Sequence, residues 1–354
     1  MSLLDSFSSQ ETNVAPKPHY LLTAFAWIVL ISLVACVYLY QTGHFVFNPS
    51  PVVNSTSSIQ TTPTLNANGY ILLNLGLPKG PLVLYLYDFH NQSLIRSNIQ
   101  AFTPTASADG RYFVGGDGLV DTKTKDLTGS INMYDTVTAT TSQFVGGING
   151  LPRSPQISSK GNRVVFSTPP TNSDVADAAL IPDKWKIDIV SQGGTPKTIA
   201  HGLYPHWSPD GTSILYVSDE GLRLYHVSSS TDEIVFNLEG GTASSLMALS
   251  VSRDGTHLAW TDPNHSKLMI AHIYSWSPFS ANVEKILNVQ AFAPVYAPDG
   301  AHIAFEQVTP GASSTTATTN LVMYDIKADT FSSLMSLDQY DQSRLFITDW
   351  VAHL

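Results

Sequence analysis

The sequence predicts an all-β fold: a six-bladed β-propeller of four-stranded antiparallel blades, preceded by a single transmembrane α-helix. Three observations carry this reading. The strand–turn–strand segment Tyr204-Pro-His-Trp-Ser-Pro-Asp-Gly211, followed by Thr212-Ser-Ile-Leu-Tyr-Val217, recurs in imperfect copies through most of the chain. The glycines of its turns, Gly69, Gly110, Gly161, Gly211, Gly255 and Gly300, are separated by 41, 51, 50, 44 and 45 residues, the period of a blade built from several short strands. A unit of this size cannot bury its apolar face alone, so its neighbours must stack on it. The third observation is Tyr20 to Tyr40, 21 residues without one charge, long enough to cross a hydrocarbon core of about 30 Å as a helix.

In chain order, residues 1–19 form a short polar tail, expected to be cytoplasmic. The span 20–40 shows no polar stripe at helical spacing, which argues against a buried globular helix. Trp27 falls in mid-span, whereas Tyr20, Tyr38 and Tyr40 fall where aromatic rings collect at membrane surfaces. Leu33-Val-Ala-Cys36 also satisfies a lipobox pattern, in which Cys36 is lipidated after cleavage. Against this, Val37-Tyr-Leu-Tyr40 continues the apolar run, and the run exceeds a usual signal core of about 7–15 residues, which favours an uncleaved anchor. Lys17 is the only Lys or Arg before the span and the next is Lys79, so the positive-inside bias places the body in the periplasm or outside the cell. Residues 41–61, rich in Ser, Thr, Asn and Pro, read as a flexible linker. Cys36 is the only cysteine, so the body holds no disulfide.

The propeller is expected over 62–354. Each first strand tends to carry a proline: Pro63, Pro104, Pro155, Pro205 and Pro294. The turns follow, at Asn68-Gly69, Asp109-Gly110, Lys160-Gly161, Asp210-Gly211, Asp254-Gly255 and Asp299-Gly300, where Gly supplies positive φ and Asp bonds its own backbone. Second strands are apolar, as in Ile214-Leu-Tyr-Val217 and Ile303-Ala-Phe305, and third strands read like Leu84-Tyr-Leu-Tyr-Asp88 and Leu321-Val-Met-Tyr-Asp325. Fourth strands are weaker, for example Glu233-Ile-Val-Phe236 and Val283-Glu-Lys-Ile286. The C-terminal Leu345-Phe-Ile-Thr-Asp-Trp350 resembles a further first strand, with Trp350 in the place of Trp207. It is expected to pair with the unit at 70–97 and close the ring, because an open last blade leaves a hazardous edge.

Trp207-Ser-Pro-Asp-Gly211 with Ile214-Leu-Tyr216, Tyr296-Ala-Pro-Asp-Gly300 with Ile303-Ala-Phe305, and Val251-Ser-Arg-Asp-Gly255 with Leu258-Ala-Trp260 resemble the TolB-type (WD40-like) propeller repeat. The resemblance covers about residues 62–350. It implies a six-bladed propeller that binds other proteins, although in some enzymes similar blades gate a peptidase domain. The α/β domain that precedes the propeller in TolB has no counterpart here, and a membrane span stands in its place.

Composition excludes some functions. The net charge is −10 and Lys and Arg form no basic stripe, so nucleic acid is not an expected partner. The turn aspartates fall a blade apart and cannot form a metal cluster or an acid/base pair, so no metal or cofactor is assigned. No Gly-x-Ser-x-Gly, His-Glu-x-x-His or phosphate-loop spacing occurs. Period-2 alternation makes a sharper forecast. If Ala106, Ile157, Trp207, Val251, Tyr296 and Trp350 pack between blades, their neighbours Thr105, Gln156, His206, Ser250, Val295 and Asp349 line the central channel as a small, mostly polar ring. His206 and Asp349 are its only titratable pair. The longest connections, 116–130, 168–184 and 307–319, all join second to third strands, so one face is tight and the other elaborated for partners. Together these features predict a membrane-anchored, extracytoplasmic protein-binding or scaffolding module, with envelope or surface proteins as partners. The alternative is a propeller lyase or hydrolase with a site at the channel mouth near His206 and Asp349.

Overall fold

The computed structural model describes residues 69–75, 83–107, 110–120, 127–170, 181–237, 248–262, 266–309, 318–338 and 345–352. The N-terminal tail, the span 20–40, the linker 41–61, Pro63, and the turn residues Asn68 and Asp109 lie outside them. Among the described residues no helix is long and apolar enough to cross a membrane.

The body is all-β: six four-stranded antiparallel sheets. The first blade begins with β1 (Tyr70–Leu75), β2 (Val83–Asp88) and β3 (Ser93–Gln100). The second is β4 (Phe102–Ala106), β5 (Tyr112–Val120), β6 (Leu127–Asp135) and β7 (Thr140–Asn149), and the third is β8 (Arg153–Ile157), β9 (Arg163–Thr168), β10 (Lys186–Ser191) and β11 (Lys197–His201). The fourth comprises β12 (Leu203–Trp207), β13 (Ser213–Ser218), β14 (Gly221–His226) and β15 (Thr231–Asn237). The fifth comprises β16 (Leu249–Val251), β17 (His257–Thr261), β18 (Leu268–Trp276) and β19 (Phe279–Leu287). The sixth comprises β20 (Ala291–Tyr296), β21 (His302–Thr309), β22 (Thr318–Asp325) and β23 (Thr330–Ser336). The last strand, β24 (Leu345–Val351), pairs antiparallel with β1 and becomes the missing innermost strand of the first blade. The described parts of two of the connections expected to be long are hairpin extensions. β5 and β6 stay paired out to Val120 and Leu127, and β21 and β22 out to Thr309 and Thr318.

Burial follows the blades. Among the described residues, buried apolar residues form a cluster at every seam between neighbouring sheets, the largest joining the sixth blade to the first, with a second small one of Trp185 and Leu203 between the third and fourth. As alternation requires, Ala106, Ile157, Trp207, Val251, Tyr296 and Trp350 each pack into the seam with the preceding blade. Trp350 is fully buried and stacks on Phe89 at 4.6 Å.

The Asp-Gly turns are structural. In Ser208-Pro-Asp-Gly211 the Gly211 N–H donates to the Ser208 carbonyl at 2.9 Å, with Gly211 at φ +68°. Asp210 accepts from the Ser208 hydroxyl at 2.6 Å and the Thr212 N–H at 3.0 Å. Asp254 repeats this with Ser252 and Thr256. Partial burial works against both charges, but these donors outweigh it and hold the two carboxyls below their ordinary range.

The recurrent proline has a separate cause. Thr103, Ser154, Tyr204 and Ala293, each just before a proline, adopt φ between +45° and +53°, and each strand changes register at that point. Proline therefore marks a bulge in the innermost strand, where it removes an N–H that the ladder does not use. Trp350→Ala removes the ring that fills the closing seam. It is expected to lower the unfolding free energy by about 3–5 kcal/mol, read by urea denaturation.

Candidate functional site

The innermost strands β24, β4, β8, β12, β16 and β20 stand side by side around the channel. Each pairs with its own blade on one edge only, which leaves backbone groups on the other edge needing partners. The six forecast residues Thr105, Gln156, His206, Ser250, Val295 and Asp349 all line a single cavity of about 520 Å³. Most of them serve these backbone groups. Asp349 accepts from the Ala106 N–H at 2.7 Å, and the Thr105 hydroxyl donates to the Pro155 carbonyl. The Gln156 carbonyl takes the Trp207 indole N–H at 3.0 Å, and His206 Nε2 donates to the Leu249 carbonyl at 3.0 Å. The Ser250 hydroxyl accepts from the Tyr296 N–H at 3.1 Å. Val295 has no polar atom to offer its seam, and there the buried Glu306 of β21 accepts from the Ile347 N–H at 3.0 Å. Every seam thus carries a side-chain bond from one blade to the next.

His206 and Asp349 are not brought together. They sit on the fourth and first blades, which face each other across a six-fold ring, and each is held by other groups. Burial pushes the His206 imidazole down to about 4, against the opposing pull of its bond to Leu249. Donation from Nε2 to a carbonyl fixes the neutral tautomer, with the Nδ1 lone pair free. Burial raises the Asp349 carboxyl, and Arg253 opposes that shift from 3.8 Å.

Arg253 stands at one end of the channel. It replaces the proline of the Ser-Pro-Asp-Gly turn in the fifth blade and reaches across the ring. There its guanidinium donates to the carbonyls of Ser107 in the second blade and Trp350 in the first, at 2.7 and 2.9 Å. Arg253 thus bridges blades at the Asp-Gly end, while Phe102, Arg153, Leu203, Phe292 and Phe346 line the cavity toward the opposite face, where second strands turn into third.

Above the polar ring the walls are not those of a small polar channel. Phe102, Phe292 and Phe346 come from three different blades, with Leu203, Ala293 and Ile347 between them, and the Phe102 and Phe346 rings meet edge to face at 6.4 Å. Alternation forecast the polar ring and made no placement of this layer, which lies beyond the bulge in each strand. Arg153 lies in the same layer, over the rings of Phe102 at 5.1 Å and Trp185 at 5.2 Å. Its Nε is buried without a hydrogen-bond partner, and among the described residues no carboxylate pairs with it. Burial lowers its pKa, yet a guanidinium remains charged. The half-buried Tyr204 lies within electrostatic reach of both Arg153 and Glu306.

The His206 shift has a definite sign. The unfolded imidazole takes up a proton near pH 6.5, the folded one only near 4, so between those values the unfolded chain binds more protons and stability falls as pH falls. With a discount for the ring's partial exposure to the channel, the loss from pH 6.5 to 4 is on the order of 1–3 kcal/mol. Urea unfolding across this range should show a shallower decline for His206→Gln than for the wild type.

No family model and no curated protein sequence matches the chain. Among solved structures it is similar to TolB from Acinetobacter baumannii, with a TM-score of 0.53 at 17% identity over 79% of this chain and 67% of that one. It is also similar to an oligogalacturonate lyase in complex with manganese, with a TM-score of 0.49 at 12% identity over 77% of each chain. A second such lyase, from Vibrio parahaemolyticus, gives 0.48 at 12% over 80% of this chain and 83% of that one. The six blades and the first of these likenesses give the chain a propeller fold of the TolB type.

Proposed function

We propose that this chain is a membrane-anchored, extracytoplasmic propeller that binds a protein partner at the open mouth of its central cavity. The observation that carries the reading is Arg153, a half-buried cation with its Nε buried and, among the described residues, no carboxylate paired with it, set beside a rim of three phenylalanines. A partner segment that inserts an apolar side chain between Phe102, Phe292 and Phe346 and offers a carboxylate to Arg153 fits both features. Apolar walls with one charged group fixing orientation are the usual make-up of a binding pocket. Because Arg253 bridges blades at the other end, entry is from the face bearing the connections between second and third strands. The alternative of an enzyme acting through His206 and Asp349 is less well supported, since both side chains are engaged in holding adjacent strands.

The test is site-specific photo-crosslinking in native membranes. A benzophenone side chain at Phe292 should capture a protein, and Arg153→Gln should lower the yield about tenfold or more, the scale of a lost buried charge pair. A probe at Thr212, on the Asp-Gly face, should capture nothing comparable. Equal capture at both positions, or capture indifferent to Arg153, overturns the reading.

The anchor, residues 20–40, and the outward placement of the body belong to the same proposal and rest on the apolar run and on Lys17. Protease added to intact spheroplasts should digest residues 62–354. Protection until the membrane is breached reverses the orientation.

A further inference from the structure

The fifth blade carries a cluster that the channel does not use. His257 opens β17 and His272 lies opposite it on β18, as register partners. At the equivalent rung of the fourth blade Ser213 meets His226, and in the sixth His302 meets Asp325, so only the fifth blade sets two imidazoles side by side at this position. A third group arrives from β19. The pairing passes from Ile270–Lys285 to Ala271–Val283, and Glu284 is the extra residue of the resulting bulge. The ligand atoms of His257, His272 and Glu284 all lie within 4.8 Å of one another.

The hydrogen bonds around His257 aim a lone pair into this cluster. The Thr256 hydroxyl donates to the Asp254 carboxylate at 2.8 Å, which spends its only proton. At its 2.7 Å contact with His257 Nδ1 the same oxygen therefore accepts, and Nδ1 carries the hydrogen. His257 Nε2 is left as an acceptor, and it faces His272 Nδ1 at 3.3 Å. That is long for a hydrogen bond, but it matches the edge of a tetrahedron: two imidazole nitrogens about 2.0–2.1 Å from one Zn²⁺ stand about 3.3 Å apart. An imidazole that donates its other N–H to an oxygen anchored by a carboxylate is the arrangement that usually orients a metal-bound histidine. Next to the cluster, the Tyr296 hydroxyl is buried without a hydrogen-bond partner, within electrostatic reach of Glu284.

From this geometry we propose that His257 Nε2, His272 Nδ1 and the Glu284 carboxylate form a site for a first-row transition-metal cation, Zn²⁺ being the best match, with solvent at the fourth position. Binding breaks no covalent bond and requires no redox partner. The hydrogen now shared by the two rings moves to His272 Nε2, and the carboxylate supplies the one negative charge. Two half-buried imidazoles and an exposed carboxylate leave the cation a path from solvent. The bound metal ties three adjacent strands of one blade together. The proposal is independent of what the central cavity binds.

The test is equilibrium dialysis of the full, detergent-solubilised chain against buffered Zn²⁺, with metal counted by mass spectrometry. About one Zn²⁺ per chain is expected for the wild type and for His226→Gln, which removes a comparable histidine from the fourth blade. His272→Gln and Glu284→Gln should each weaken binding more than tenfold, and Zn²⁺ should raise the unfolding temperature of the wild type but not of these variants. Should His272→Gln fail to fold, Glu284→Gln, altered at an exposed position, carries the test alone. Wild-type protein that retains no Zn²⁺, or retention unaffected by Glu284→Gln, overturns the proposal.

Discussion

The architecture depends on one constraint: the inner edge of every innermost strand has backbone groups that its own blade cannot satisfy. In an open sheet such an edge faces water or a second chain. Here six of them surround a cavity with largely apolar upper walls, where an unmade hydrogen bond costs about 1–3 kcal/mol. The chain answers with a side-chain bond across each seam. Asp349, Thr105, Trp207, His206, Ser250 and Glu306 are chemically unlike, yet each performs the same task between consecutive blades. This accounts for a polar ring with no common residue type, and for a carboxylate and an imidazole set deep in the protein without facing each other.

The same constraint separates the channel into layers with different freedom. At the level of His206 and Asp349 one ring nitrogen and the carboxylate are committed to backbone. At the Asp-Gly end Arg253 is committed as well, bridging two carbonyls on other blades. Only the upper layer, with Arg153 among aromatic rings, keeps a charged group that the fold does not consume. Recognition is accordingly expected where backbone satisfaction has already been completed by other residues.

Much of this was legible in the sequence, for a physical reason. Tight turns need Gly at positive φ, seams need a large residue at a fixed offset from the turn, and strands alternate with period 2, so the blades, Trp350 in the closing seam and the six channel positions could all be read from spacing. The mouth could not. Thr103, Ser154, Tyr204 and Ala293 lie at bulges that rotate each strand by a residue, and the proline that marks them looks like any strand-edge proline. Glu306 escaped notice because it comes from a second strand and is called in only where Val295 offers nothing. The His257–His272 pair was hidden for a similar reason: cross-strand register brings it together, and Glu284 joins it only through an irregularity in β19.

The pairing of β24 with β1 also sets a timetable. Thr348 bonds to the Leu72 carbonyl 276 positions away in the chain, and the seam beside it holds the largest apolar cluster among the described residues. Contacts this distant in sequence are the slowest to form, because so much chain must first be ordered. During synthesis the first blade is therefore the earliest to emerge and the last to be finished. Until the final strand arrives, β1 is a bare edge, and any factor that shields such edges would have its longest opportunity at that position.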